Sequence, residues 1–492
     1  MVLLAASPSH GQISYTGVVV FQDFDTLPAA GTFTFSTKGP QALDQTPINA
    51  AGAVGWSLYA NVGTPLSFIV DAGGSSTASV YSYGTSGTSE RALGFLANST
   101  RACRAGLRLI NNTGQTLTQF TLSFTGEEWR SGGTVNPNSL AVDYRIQAAA
   151  FDIDSGGTYT AIPALTFNSP VNHAQSTAVN GNLAANRVLL SATINASWPN
   201  GQMLMVRWRD SDSTGEDDAL AIDDVAFFAP TSGAVAPQVL SMIPASSATG
   251  VITTRRLAVV FNQPVTTTGT WAQLTDENSA AVPATIAGGP IRYEVTPASR
   301  LLPGKSYTLT ELGAQVTNSG GTPMSGNVTS AFTTLPSITN PQLISAVQGN
   351  GATTPMAGQV VTVTGVITAD YQGPPPALGG FFIQSLPAGE DGDPATSEGL
   401  FIYDFASEGT AAVAVGDVVT LTGTASEFSS QTQISNVISL VITGTAPLPA
   451  FVDAALPMTS STGLEALEGM RVRFPQTLHV ASSTASASFS IN

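Results

Sequence analysis

Lysine is nearly missing from this chain of 492 residues, and between residues 306 and 470 there is neither lysine nor arginine. Lys38 and Lys305 are the only lysines, and 33 acidic residues stand against 17 basic ones, a formal net charge of −16. Such a field repels polyanions at long range, and affinity from counterion release needs the cations that are scarce here. Cysteine occurs once, at Cys103, which excludes an intrachain disulfide framework. That residue reads as a small buried or incidental thiol, or else as a nucleophile. Arg101 and Arg104 flank it, but no base or orienting acid stands near it in the chain. The three histidines, His10, His173 and His479, are too far apart for ligand or catalytic spacing. No apolar run approaches the roughly 20 residues that a bilayer-spanning helix needs. A Ser-His-Asp set, a zinc signature and a phosphate-binding glycine loop leading into a helix are also lacking, whereas a pair of glycosidase carboxylates stays open, because any two acids can meet in space.

What the chain does have is glycine, serine and threonine in abundance around many short runs of alternating apolar residues. The pattern predicts an all-β, multidomain protein of about three domains. Runs at 107–110, 117–124, 141–147 and 203–208 predict a jelly-roll-like β-sandwich over residues 17–230, with Phe21-Gln-Asp-Phe-Asp25 and Ile222-Asp-Asp-Val-Ala-Phe227 as neighbouring strands. Residues 236–335 form a second unit, joined to its neighbours by short proline-bearing segments that hold the domains semi-rigidly. Residues 340–446 carry five strand-like runs, among them 359–368, 380–384, 399–403 and 415–425. Glycine falls where a small closed barrel bends. Residues 1–16 read as a leader, since Met1 to Gln12 looks like the end of a signal peptide; 447–492 reads as the start of a further, incomplete segment.

The densest run of chemistry-bearing side chains is Asp210, Asp212, Glu216, Asp217 and Asp218, followed by Asp223 and Asp224. Alternating acids with a glycine at 215 can fold oxygens around a hard cation such as calcium. The same residues can instead make a tight hairpin loop whose carboxylates accept backbone amides. Trp56, Tyr59, Tyr81, Tyr83, Trp129 and Trp198 raise a third question, whether the sandwich presents an aromatic platform for carbohydrate or buries these rings as core.

Several stretches resemble known families. Phe261-Asn-Gln-Pro-Val265 and Pro303-Gly-Lys-Ser-Tyr307 resemble bacterial Ig-like domains of surface-layer and secreted proteins, which implies a spacer. Gly379-Gly-Phe-Phe-Ile-Gln384, residues 392–403, Val415 to Gly423 and Glu427 to Ile434 resemble the OB-fold module that precedes the catalytic domain in secreted bacterial nucleases of the endonuclease/exonuclease/phosphatase superfamily. Leu464 to Phe474 resembles the stretch that follows the barrel there, and the Ile222-Asp-Asp ending is similar to the closing motif of jelly rolls in such secreted proteins. The resemblance implies an accessory, substrate-positioning region of a secreted metal-dependent nuclease. Its partner would be a downstream catalytic domain of the same polypeptide, where catalytic Mg2+ or Mn2+ would sit. The superfamily's Ser-Asp-His motif does not occur in this sequence, so no catalytic residue is assigned. On the barrel, Tyr371, Phe382, Phe401, Tyr403 and Phe428 are the candidates for stacking nucleic-acid bases. They would work against Glu390, Asp391, Asp393, Glu398, Asp404 and Glu408 without any lysine or arginine, so weak or no binding is expected. The alternative reading is an extracellular, surface-attached glycan-binding or adhesion protein without enzymatic activity.

Overall fold

The computed structural model describes residues 11–491 except 36–38, 62–65, 86–89, 134–136, 173–175, 214, 232–234, 252–256, 300, 335–340, 373–376, 405–411, 457–461, 478–479 and 484–488. His10, His173, His479, Lys38, Phe405 and Glu408 therefore lie outside the described residues. The chain forms two compact units, one holding the first two predicted domains and the other, from Leu335 on, holding the barrel.

The predicted sandwich is present as an eight-stranded sheet packed on a nine-stranded one. In the first, Ser139–Gln147, Met203–Asp210, Cys103–Asn111 and Trp56–Ala60 lie side by side and antiparallel. Alternation decides which face each residue takes. Leu58, Ala105, Leu107, Val142, Val206 and Trp208 point into the core, where Trp208 stacks on Trp56 at 5.3 Å. The residues between them, Tyr59, Arg104, Arg108, Asp143, Arg145, Arg207 and Arg209, take the outward face. In the second sheet Leu117–Ser131 pairs with both Arg187–Trp198 and Ala219–Phe228. The expected neighbouring of the first and last motifs holds, since Val20–Gln22 pairs with Ala219–Phe228 through Phe21 and Ala226.

The second domain is an Ig-like sandwich. A four-stranded sheet contains Leu257–Phe261 and Arg292–Pro297, and a three-stranded sheet contains Ser306–Glu311 and Val328–Thr333. It is joined to the first domain by more than a linker. Val19, Ala226 and Phe228 of the jelly roll form one buried apolar cluster with Val260 and Ile291 of the Ig-like domain. Beside it runs a chain of ion pairs. Arg292 reaches Asp224 at 2.5 Å and Glu294 at 2.8 Å, and Arg187 reaches Glu294 at 2.9 Å and Glu127 at 3.9 Å.

The second unit carries a closed barrel in the order Val360–Tyr371, Gly380–Gln384, Gly399–Tyr403, Gln431–Thr445, Asp417–Phe428. Gly399–Tyr403 and Gln431–Thr445 run parallel, while the other pairs are antiparallel. This is the OB-fold connectivity, and its core is Val361, Val363, Ile367, Phe381, Ile383, Leu400, Ile402, Val419, Leu421 and Ile434 with neighbours. Gly423 sits where the long strand bends; a Cβ there would meet Ile434 Cγ2 at 2.5 Å. The segment after the barrel closes on it. The Ser397 hydroxyl donates to the Glu468 carbonyl, the Thr432 amide donates to Glu468 Oε1 at 2.6 Å, and the Arg471 amide donates to Gln384 Oε1 at 3.1 Å.

Candidate functional site

The acidic motif divides among separate surroundings. Asp212 and Glu216 are exposed. Asp217 and Asp218 are buried and hold backbone: Asp217 Oδ1 accepts from the Ser213 amide at 2.9 Å and Asp218 Oδ1 from the Gly132 amide at 2.6 Å. Both carboxylates meet Asn138, which gives its side-chain amide to Asp217 and its main-chain amide to Asp218. Asp210 is buried at the end of its strand. Burial, and then Asp217, push its carboxyl well above the ordinary range, and burial pushes Asp217 up to about 6. This is the hairpin-loop arrangement, with carboxylates accepting amides.

Asp223 and Asp224 go elsewhere. A bulge opposite Phe124 separates them, with Asp224 in the left-handed region at φ 52°. Asp224 joins Arg292 across the domain junction. Asp223 meets Glu90 and Glu127, and these three place one carboxylate oxygen each within 4.8 Å of one another. Burial, then Asp224, Glu127 and Glu90, raise the Asp223 carboxyl well above its usual value. Of the seven acids singled out in the sequence, Asp223 alone belongs to a described group that could hold a cation. Glu90 and Glu127 were missed by sequence reasoning. The signal available was Glu127-Glu128, two adjacent acids inside a 15-residue strand that is otherwise largely buried.

The aromatic question resolves mostly toward core. Trp56, Tyr81, Tyr83, Trp129 and Trp198 are buried, with Tyr83 stacked between Tyr81 at 4.7 Å and Trp129 at 5.7 Å. Tyr59 alone among the six is partly exposed, on the outward face of the eight-stranded sheet. On that face Arg104 lies 4.9 Å from the Tyr59 ring, and Arg207 lies beneath Tyr159 at 3.2 Å. Arg209 stands opposite Arg104 in register. Asp143 takes Arg207 through Nε at 2.9 Å and Nη2 at 3.0 Å, and also Arg209 through Nε at 2.8 Å. Arg108 pairs with Asp152 at 2.8 Å. Phe151 and Ile153, from the loop following Gln147, pack on Met203 and Met205 and cover one end of the face. Beside it Arg145, Gln147, Thr158, Thr160 and Ser197 line a shallow cavity of about 430 Å³. A second concavity, about 570 Å³, lies at the junction of the jelly roll and the Ig-like domain, lined by neutral groups including Gln119, Thr121, Asn262 and Asn318.

On the barrel, Tyr371, Phe382 and Phe401 form one outward aromatic run, with ring centroids 6.3 Å and 4.8 Å apart. Tyr371 is 48% exposed and Phe401 5%. Tyr403 is half-buried, and Phe428, 66% exposed, lies at the Phe428–Gln431 turn of the long hairpin. Burial lifts the Asp404 carboxyl to about 6, and the Gln372 amide donates to it. Cys103 is fully buried and its thiol is raised by that burial, so it takes the structural role of its two readings.

No match is found when the sequence is compared with characterised proteins. Among solved structures, the chain is similar to TmCBM61 in complex with beta-1,4-galactotriose, at 10% identity over 35% of this chain and 88% of that one, TM-score 0.20. It is similar to the K2 cleaved adhesin domain of Lys-gingipain, at 15% identity over 44% of this chain and 98% of that one, TM-score 0.22. A third likeness is the adhesin domain of Epf from Streptococcus pyogenes, at 9% identity over 67% and 97%, TM-score 0.18. With scores this low, the ligand has to be read from this chain's own residues. In sequence, residues 233–334 match the bacterial Ig-like domain.

Proposed function

We propose that this chain is the binding and spacer part of an extracellular bacterial protein, with a saccharide held on the outward face of the eight-stranded sheet. The observation that supports this is the surface itself. Partly exposed Tyr59 and Tyr159 stand beside fork-shaped donors from Arg104, Arg145 and Arg209, next to a shallow cavity lined by amide and hydroxyl side chains. Ring faces and directional donors are what a sugar needs, one for its CH face and the other for its hydroxyls. The fused Ig-like domain then serves as a stiff arm, because the apolar cluster and the ion pairs at the junction oppose hinge motion. The test is a glycan array with the whole chain, followed by titration calorimetry on Tyr59→Ala and Tyr159→Ala. The proposal expects at least one glycan to bind and each variant to weaken it; an array without a hit would refute it.

Calcium, one of the two readings the acidic motif left open, belongs to this proposal as a structural element of the jelly roll, moved from the hairpin loop to Glu90, Glu127 and Asp223 as its carboxylate ligands. A second reading, the accessory region of a metal-dependent nuclease, is favoured by the OB-fold connectivity and the outward run Tyr371, Phe382, Phe401 on its first three strands. The missing cations argue against direct phosphate binding there, so in that reading the barrel positions a catalytic domain.

A further inference from the structure

We propose that the sugar bound on the arginine–tyrosine face carries a carboxylate, as a uronate or sialic-acid residue does, and that Arg104 is the residue that selects it. The inference rests on the saccharide reading above and adds the chemical class. Five of the chain's fifteen arginines, Arg104, Arg108, Arg145, Arg207 and Arg209, stand on the same face of three adjacent strands. The acids answering them there are Asp143 and Asp152, with Asp154 exposed in the loop. In a protein of net charge −16 this is a local excess of cation.

Within that excess Arg104 is the arginine left over. Asp143 already receives two hydrogen bonds from Arg207 and an ion pair from Arg209. Arg108 has Asp152, and Arg145 donates to the Gly156 carbonyl at 2.6 Å. The Arg104 guanidinium has no ion pair or hydrogen bond among the described residues; it lies against the Tyr59 ring and faces Arg209 across the strand pair. Burial, and then the nearby Arg207, hold this guanidinium below its ordinary value, so its charged form is kept at a cost. Like charges directly opposite one another in a sheet are unfavourable, and a carboxylate would relieve both the repulsion and the missing partner. A planar guanidinium takes a planar carboxylate in a two-bond fork, and Arg209, 35% exposed, stands next to it as a further donor. The chain's net charge of −16 repels a closely spaced polyphosphate such as nucleic acid at long range more strongly than a sugar with separated single charges.

The experiment uses the whole chain and needs no variant for its first arm. Titration calorimetry compares a glucuronate-containing oligosaccharide, and separately a sialylated one, with the same molecule whose carboxyl has been reduced to an alcohol. At least one acidic sugar should bind tenfold or more tighter than its reduced form. Arg104→Gln should abolish the difference without lowering the thermal midpoint, and Arg104→Lys should restore part of it. Equal binding of acidic and reduced forms overturns the carboxylate assignment and leaves the saccharide reading standing. If neither form binds and the array is blank, both fall. Tighter binding of single-stranded DNA than of any acidic sugar, lost in Arg104→Gln, overturns the proposal in favour of phosphate.

Discussion

Replacing Arg292 by methionine removes the cation that faces Asp224 from the Ig-like side. The two residues are 4% and 5% exposed, and Nη2 and Oδ2 are 2.5 Å apart. Glu294 would keep Arg187, through bonds of 2.9 and 3.0 Å, so the loss falls on Asp224. Opposite unit charges with centres about 4 Å apart attract by about 4 kcal/mol at an effective dielectric constant of about 20. Removing one member of a buried pair costs roughly 3–5 kcal/mol in general.

A proton limits the damage. Burial already raises the Asp224 carboxyl above its ordinary value while Arg292 works to lower it, so without the arginine the acid protonates more readily. In that variant the folded state binds more protons than the unfolded state, from the ordinary carboxylate range up to the raised folded value. Stability therefore falls as pH rises through this window, and the penalty at pH 7 exceeds that at pH 5. The expected loss at pH 7 is about 3 kcal/mol in the first unit. The double variant Asp224→Asn, Arg292→Met should lose less than Arg292→Met alone, since neither side is then left charged and unpaired. The assay is urea unfolding followed by tryptophan fluorescence at both pH values, on the wild type, both single variants and the double. A loss under about 1 kcal/mol for Arg292→Met, or single effects that add to within about 0.5 kcal/mol, would show that the junction is not a coupled buried pair.

Glu311 of the Ig-like domain is fully buried, with neither carboxylate oxygen hydrogen-bonded among the described residues, and burial alone raises it to about 8. The native domain therefore keeps a proton that the unfolded chain releases above about pH 4.5, and stability declines from there to about pH 8, by at most about 5 kcal/mol. Glu311→Gln should flatten that slope, and an unchanged pH profile in thermal unfolding would refute the assignment. Single-stranded DNA should bind the chain more weakly than micromolar at physiological salt by fluorescence anisotropy, because the barrel's aromatic run lacks cations around it. A micromolar or tighter constant that is lost in Phe382→Ala would overturn this. Calcium should raise the thermal midpoint of the chelator-treated protein by several degrees, and Asp223→Asn should remove the shift. A shift surviving that substitution would refute Asp223 as a ligand.

The strands were legible because a two-residue period writes the fold directly into the sequence: Val419 and Leu421 alternate with Val418 and Thr420, and both barrel closure and the outward aromatic run follow from that parity. The arginine face was not legible, although the same parity governs it. Tyr59, Arg104, Asp143 and Arg207 come from four strands separated by dozens of residues, and only the pairing of Trp56–Ala60, Cys103–Asn111, Met203–Asp210 and Ser139–Gln147 sets them side by side. Asp223-Asp224 shows the opposite difficulty, a motif visible in sequence whose meaning depends on one backbone irregularity. Without the bulge, parity alone would set the two carboxylates on opposite faces of the sheet. With Asp224 at positive φ, the first joins the acids of the jelly roll and the second reaches the Ig-like domain. A pair that the sequence offers to either a calcium site or a hairpin loop thus serves two purposes, and the bulge that takes Asp224 out of the core face of Ile222 and Val225 is something composition and spacing do not carry.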